Sequence, residues 1–328
     1  MEEQMGMSKK GTKEFISDVI IPIEQNDIDN GNLYVLIRSR PNQSLTEYEE
    51  EADLAYDTEG WSFPSTSDPG EWIEPKEIKW LEDNHIKLET LSGLIWRGTV
   101  GGRLYEADLE GENKRIGPHD YWGGQDDRTR IDIDAKKHID ECISLGLEVK
   151  RARLIHRITN WSPYLLWSFA LDCIERAYSF NKEFAPDICK EGIIFARAYS
   201  KYRCGMGGIE LEGFVKKSSN DKNFYSISLD KKYELAKLIS EQSILGANAF
   251  LQKGLIEALE PYKPFQVVNY ARTAMAWHYM GEYREEYEYP GFATLDLGEL
   301  AIFNRIWYAL HKKELDWQVD HLRKLVGD

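Results

Sequence analysis

The spacing of apolar residues changes near residue 130, and this change constrains the fold more than any other feature of the sequence. Before residue 130 the apolar segments are short and broken by turn residues, as in the strand-like segments 15–23 and 32–40. The stretch 85–112 has three short apolar runs separated by Ser92-Gly93 and Gly101-Gly102. This pattern predicts a small antiparallel meander with tight glycine turns.

After residue 130 the apolar residues recur at helical spacing. Ser162 followed by Pro163 predicts an N-cap and a first helical residue. One face of that helix carries Leu166, Phe169, Ala170, Cys173, Ile174 and Ala177. Further helices are predicted to begin near Pro186, at Asp230, near Phe265 and at the capping box Asp296-x-x-Glu299. Each has one apolar stripe to bury, so the helices are predicted to pack as a bundle.

Together the two patterns predict an α+β fold. A small antiparallel β-rich region is expected over residues 1–130, followed by an α-helical bundle over residues 131–328. The chain has 328 residues and 42% apolar content, enough to supply a sizeable core. The predicted boundary lies in the segment 118–128, where glycine, aspartate and proline cluster.

Negative charge is concentrated in the first region. The chain has a net charge of -15, and residues 1–130 contain 28 of its 56 acidic residues but only 14 of its 41 basic residues. Such a field repels nucleic acid phosphates and anionic lipid, and it speeds encounters with a basic protein. We therefore expect a basic protein partner, and neither nucleic acid nor membrane. The alternative is that the charge only keeps the protein soluble.

Two segments interleave acidic and aromatic residues. Residues 41–75 include ten acidic and five aromatic residues and no Lys or Arg, and residues 282–289 alternate Glu with Tyr. Carboxylates pair with Lys or Arg at interface rims, and aromatic residues serve as anchors. Both segments are interpreted either as partner-binding surfaces or as solvated faces. The predicted partner-binding residues are Glu49, Glu50, Glu51, Asp53, Tyr56, Asp57, Glu59, Trp61, Trp72, Glu285, Glu286 and Tyr287.

The segment 118–128 contains the strongest candidate for catalysis. A histidine near carboxylates could perform acid–base chemistry or bind a metal, and a hydrolase would use His119, Asp120 and Asp127. Sites usually gather residues from several elements, whereas these belong to one turn-rich segment, which favours a structural hinge. His138 and Cys142 would share a helix face, but two further zinc ligands are lacking, which favours core packing.

Nucleotide-binding and common hydrolase motifs are absent from the sequence. It contains no P-loop, no GxGxxG after a strand, no GxSxG elbow and no HExxH. We therefore predict no cofactor and no metal. The four cysteines form no CxxC pair, and the sequence shows neither an apolar signal stretch nor a run of about eighteen apolar residues. These features predict a cytoplasmic protein with reduced thiols, in which Cys173, Cys189 and His278 are core residues.

Four segments of the helical part carry a family resemblance: 165–180, 193–202, 271–279 and 314–326. The residues that carry it are Asp172, Cys173, Glu175, Ala196, Arg197, Ala198, Ala276, His278, Glu314, Trp317 and Gln318. In these residues the chain resembles the Imm-5-like immunity proteins that accompany bacterial polymorphic toxins. The resemblance covers roughly residues 165–326, with a departure around 205–230. It implies an all-α fold for this part and an inhibitory binding role without defined catalytic residues.

The charge pattern and the resemblance lead to one functional hypothesis. The protein is expected to be a non-enzymatic, immunity-type protein that binds and neutralises a cognate basic toxin. Its helical bundle would be the scaffold, and its acidic, aromatic-containing region would be the contact surface. The alternatives are the hydrolase described above and a structural or adaptor module with a permanent oligomer interface.

Overall fold

A computed structural model describes residues 32–37, 60–66, 68–77, 85–97, 102–118, 143–182, 187–203, 224–240, 247–259, 264–287 and 297–327. Within these residues a four-stranded antiparallel sheet is followed by a set of packed helices. The fold is therefore α+β, as the change of apolar spacing predicts. The predicted strand at 15–23 and the segment 119–142 lie outside the described residues.

The four strands close into a small barrel. Its strands are β1 (Leu33–Ile37), β2 (Ile86–Glu89), β3 (Arg103–Ile116) and β4 (Gly146–Arg157). They are arranged in the order β1-β2-β4-β3, and all neighbours are antiparallel. β4 lies beyond residue 130 and pairs with both β2 and β3. The sheet thus continues past the predicted boundary, into the part assigned to the bundle.

The barrel interior is closed by a segment that precedes β2. Gly70 N donates to Leu154 O at 2.8 Å, and Ile73 exchanges two backbone hydrogen bonds with Ala152 at 2.9 and 3.1 Å. These bonds lay the segment along β4 and bring Trp61 and Ile73 into the barrel core. The core also contains Leu33, Val35, Ile37, Ile86, Leu88, Tyr105, Ala107, Leu147, Val149, Ala152 and Leu154.

The middle run of the predicted meander is a helix, α1 (Leu91–Arg97), so that part of the strand prediction is wrong. Thr90 caps it, because Thr90 Oγ1 accepts from Gly93 N at 3.1 Å. Gly93 is inside the helix and not in a turn. A Cβ at this position would lie 1.9 Å from the Leu145 carbonyl oxygen. Only glycine lets α1 approach the chain before β4 this closely.

Six longer helices follow the barrel. They are α2 (Pro163–Phe180), α3 (Asp187–Arg203), α4 (Phe224–Ser240), α5 (Ala247–Leu259), α6 (Pro264–Tyr287) and α7 (Leu297–Val326). The start of α2 is confirmed, because the Ser162 side chain accepts from Leu165 N at 3.2 Å and Pro163 is the first helical residue. All six apolar positions predicted for this helix are buried.

The other predicted helices agree less evenly with the structure. α3 and α6 begin where the sequence indicates, at Asp187 and Pro264. Asp230 is not a cap, since α4 begins at Phe224. α5 was not predicted. α7 begins directly after Asp296, which itself lies outside the described residues.

The outer side of the barrel belongs to the apolar core of the bundle, and the barrel interior forms a separate core. β1 is buried on both faces: Val35 and Ile37 point into the barrel, while Tyr34 and Leu36 join the bundle core. Helix α1 lies between the two regions and packs against α6 and α7. Asn160 Nδ2, just after β4, donates to the Val326 carbonyl at 3.3 Å. The end of α7 therefore returns to the barrel.

Candidate functional site

Charged and polar side chains of four helices meet inside the bundle. We call this group the interhelix network. It consists of Asp172, Glu175 and Arg176 on α2, Arg197 on α3, Asn269, Arg272 and Tyr279 on α6, and Glu314, Gln318 and His321 on α7. Asp172 is three and four residues before Glu175 and Arg176, and the members on α6 and α7 are three, four or seven residues apart, which places the side chains of each helix on one face.

Glu314 is the fully buried acidic member of the network. Its side chain is 0% exposed. Its two carboxylate oxygens accept from Arg176 Nε at 3.2 and 3.3 Å, and Oε2 also lies 3.4 Å from the Tyr279 hydroxyl. Burial raises the pKa of Glu314 to about 7, and the favourable contacts with Arg176 and Tyr279 oppose that rise only partly.

Arg272 is the buried cation on the other side of Glu314. It is 5% exposed, and its guanidinium carbon lies 4.6 Å from the centroid of the Trp96 ring. One terminal nitrogen donates to Gln318 Oε1 at 3.5 Å, and the other donates to Asn269 Oδ1. Burial lowers the pKa of Arg272 to about 10. The two side chains that accept hydrogen bonds from Arg272 are neutral amides. The negative charge of Glu314 attracts Arg272 without a direct hydrogen bond.

His311, on α7, lies near Arg272 of α6 and is neutral. Burial, with a smaller effect from the positive charge of Arg272, lowers the pKa of His311 to about 3. The ring packs edge-on against Trp307, with centroids 4.6 Å apart. This histidine is an aromatic packing residue at neutral pH.

A second set of contacts lies nearer the surface and joins α3, α2 and α7. Arg197 donates to Asp172 Oδ1 at 2.6 Å and to Glu175. The other carboxylate oxygen of Asp172 lies 2.8 Å from His321 Nε2. The His321 ring stacks on Trp317 with a centroid distance of 5.0 Å. Asp172 of α2 therefore contacts α3 through Arg197 and α7 through His321.

The chemistry of the network is that of helix-to-helix attachment. Cys173 lies next to it, but burial raises the pKa of its thiol, so Cys173 remains a protonated and weakly nucleophilic side chain. In the part of the chain that the structure describes, no group of three His, Cys, Asp or Glu side chains could hold a metal ion. Arg176 and Arg197 are instead bonded to carboxylates of other helices.

Most of the predicted site residues cannot be placed in this structure. Glu49, Glu50, Glu51, Asp53, Tyr56, Asp57 and Glu59 lie outside the described residues, as do His119, Asp120, Asp127, His138 and Cys142. Glu285, Glu286 and Tyr287 form the last residues of α6, and only their backbone is described. The partner-binding and hydrolase assignments for these residues stay predictions.

The two described tryptophans of the first acidic–aromatic segment contact the barrel. Trp61 is 6% exposed and packs in the barrel core. Trp72 is half-buried, with Arg153 and Arg151 at 4.6 and 5.6 Å from its ring centroid. Trp61 therefore supports the segment from within, and one surface of Trp72 is covered by arginines of the same chain.

Several members of the interhelix network were not singled out from the sequence. Arg176, Asn269, Arg272, Tyr279 and His321 were missed, whereas Asp172, Glu175, Arg197, Glu314 and Gln318 belong to the family resemblance. A usable signal was present on α7. Glu314 and Gln318 interrupt an apolar stripe that includes Leu310, Leu315 and Leu322, and both are fully buried. A charged residue at a core position indicates a partner on another helix.

Comparisons with protein-family models, with curated proteins and with solved structures found no match to this chain. No helix within the described ranges combines the length and the apolar character needed to cross a membrane.

Proposed function

We propose that this protein is a non-enzymatic, immunity-type protein of the cytoplasm that binds and neutralises a cognate basic protein toxin. The observation that carries the proposal is that polar residues of the helical part form ion pairs between helices. Asp172, Glu175, Arg197 and Glu314, all part of the family resemblance, are engaged in ion pairs between helices. Such pairs suit a rigid scaffold, and a binding protein needs one to present its contact surface.

The contact surface is assigned to the acidic region that precedes the bundle. Nearly all of the net charge of -15 belongs to residues 1–130. The outer side of the barrel packs into the apolar core of the bundle, so the barrel and the bundle support each other. An acidic surface speeds the encounter with a basic protein, and a few buried aromatic anchors then supply much of the affinity.

Co-expression tests the immunity role directly. The toxic protein encoded beside this chain is expressed with and without it in the same cells, and growth is measured. Rescue of growth and co-purification of the two proteins are the expected results. Loss of rescue, together with the absence of a basic protein in the purified sample, would contradict the proposal.

Charge reversal tests the assigned surface. Glu49, Glu50 and Glu51 are changed to lysine, and affinity for the toxin is measured at low and at high ionic strength. We expect a loss of about tenfold or more at low ionic strength and a weaker dependence on salt. The matched control changes Glu234, Asp316 and Asp320, which are exposed on the bundle, to lysine and alters net charge equally. Equal affinities of both variants at low ionic strength would show that the acidic segment only solubilises.

A further inference from the structure

The carboxyl group of Glu314 lies where α2, α6 and α7 meet, and it has no contact with solvent. Arg176 of α2 reaches both of its oxygens, and the Tyr279 hydroxyl of α6 lies 3.4 Å from one of them. One acidic side chain of α7 therefore contacts two of the helices that pack against α7. A change in the charge of this group acts on both contacts.

Within the described residues, the charged and titratable groups near this carboxyl group come from α2, α6 and α7 itself. α2 contributes Arg176 and the buried thiol of Cys173, and α6 contributes Arg272 and Tyr279. On α7 itself His311 is neutral, and Lys313 lies over the Tyr279 ring at 4.0 Å from its centroid. Among the residues that the structure describes, Arg176 is the one that forms an ion pair with Glu314, and its side chain is 24% exposed, so water screens it. The ionised carboxylate is thus balanced incompletely.

We propose that Glu314 is a proton-linked lock for α7: the protonated carboxyl group holds α7 against α2 and α6, and loss of the proton favours opening of this helix. In the protonated form the carboxyl O–H can donate to the Tyr279 oxygen while Arg176 still donates to the carbonyl oxygen. The closed arrangement therefore satisfies the neutral group without burying a charge. This inference does not depend on the proposed function.

The direction of the pH effect follows from the raised pKa. The pKa of Glu314 rises from 4.5 to about 7 in the closed state because the group is buried. In an open state, where water reaches the group, the pKa returns toward its ordinary value. The closed state then holds one more proton than the open state between these two values, so closure weakens as pH rises through this window. From pH 6 to pH 8 the opening equilibrium constant should increase roughly tenfold.

Amide hydrogen exchange on the full chain measures this opening. Exchange of α7 peptides is followed by mass spectrometry at pH 6, 7 and 8, after correction for the intrinsic pH dependence of exchange. We expect a roughly tenfold increase in α7 opening for the unchanged protein and none for Glu314→Gln. Asp320→Asn, an exposed carboxyl change on the same helix, should retain the increase. A pH-independent opening in the unchanged protein, or an increase that persists in Glu314→Gln, would overturn the proposal.

A second measurement needs no variant and decides the matter if Glu314→Gln does not fold. The carboxyl carbons of all glutamates are titrated by NMR in protein labelled at glutamate. One glutamate signal with a midpoint near 7 supports the lock. Midpoints below about 5 for every glutamate, as for ordinary glutamates, overturn it.

Discussion

The barrel and the bundle both carry arginine–carboxylate pairs, but they place them differently. On the barrel, Arg153 pairs with Asp108 and Arg151 with Glu110 across β3 and β4, and all four side chains are at least partly exposed to water. In the bundle, Arg176 pairs with a carboxylate, Glu314, that is entirely buried. Exposed pairs typically contribute about 0 to 1 kcal/mol, whereas breaking a buried pair costs about 3 to 5 kcal/mol. The same kind of ion pair therefore contributes little to the stability of the barrel and much to the packing of the bundle helices.

The largest expected loss of stability comes from a substitution that tests whether the barrel and the bundle unfold as one unit. Leu94 of α1 is fully buried in the core that they share. Leu94→Ala should lower the free energy of unfolding by about 2 to 5 kcal/mol, because it leaves a cavity between the barrel and the bundle. Urea unfolding is followed by helical circular dichroism and by hydrogen exchange of the barrel strands.

Both probes should shift to the same lower midpoint in Leu94→Ala. The control is Leu109→Ala on β3, where the side chain is only partly buried and the loss should be about 1 kcal/mol. A barrel that keeps its midpoint while the helices melt earlier would show that the two regions are independent.

A smaller effect tests the buried pair. Arg176→Met removes the cation that faces Glu314 and should cost about 3 kcal/mol at pH 8, because a buried carboxylate then lacks its partner. The cost should be smaller at pH 6, where protonation of Glu314 removes the unpaired charge. Chemical unfolding at the two pH values measures both numbers.

The control for the buried pair is Arg197→Met, which breaks partly exposed pairs with Asp172 and Glu175. Its cost should be about 1 kcal/mol. If Arg176→Met proved no more harmful than this control at pH 8, the pair at Glu314 would be energetically equivalent to a surface pair.

The smallest effect is expected on the barrel. Arg153→Ala removes an exposed pair with Asp108 and a contact with the Trp72 ring, so the loss should be about 1 kcal/mol or less and should shrink in high salt. Thermal unfolding at two salt concentrations measures it. A loss above about 2 kcal/mol would remove the contrast between the two regions.

The sequence predicted elements whose signals are local. Ser162, Pro163 and the apolar stripe that follows predicted α2 correctly because cap and stripe act within one helix. α1 was interpreted as a strand because its helical state depends on the Thr90 cap and on the close approach to Leu145. The secondary structure of this short apolar run is determined by tertiary packing and not by the propensities of its own residues.

β4 shows a second reason why local patterns fail. Its apolar alternation changes phase between Val149 and Ala152, opposite the irregularity between Glu110 and Asn113 on β3. A strand with such a break does not show a clean period of two. Its pairing with β2 also joins residues far apart in the chain. The predicted boundary at residue 130 therefore falls before the last strand.

The interhelix network was predictable only in part. Glu314 and Gln318 stand out as polar residues in an apolar stripe, which indicates that partners exist. The identity of those partners depends on how the helices cross, since Arg176 and Glu314 are 138 residues apart in sequence. The acidic–aromatic segment shows the limit of composition as a guide, since Trp61 is a core residue despite its acidic neighbours.

The return of α7 to the barrel has a consequence for synthesis of the chain. Tyr34, Leu36 and α1 belong to a core that α6 and α7 complete, and α7 begins about 200 residues after α1 ends. At translation speeds of 5 to 20 residues per second, the apolar face of α1 waits roughly 10 to 40 s for the start of α7, which packs against it. The region made first is therefore finished last, and a ribosome-bound fragment that stops before α7 should be a preferred client of chaperones.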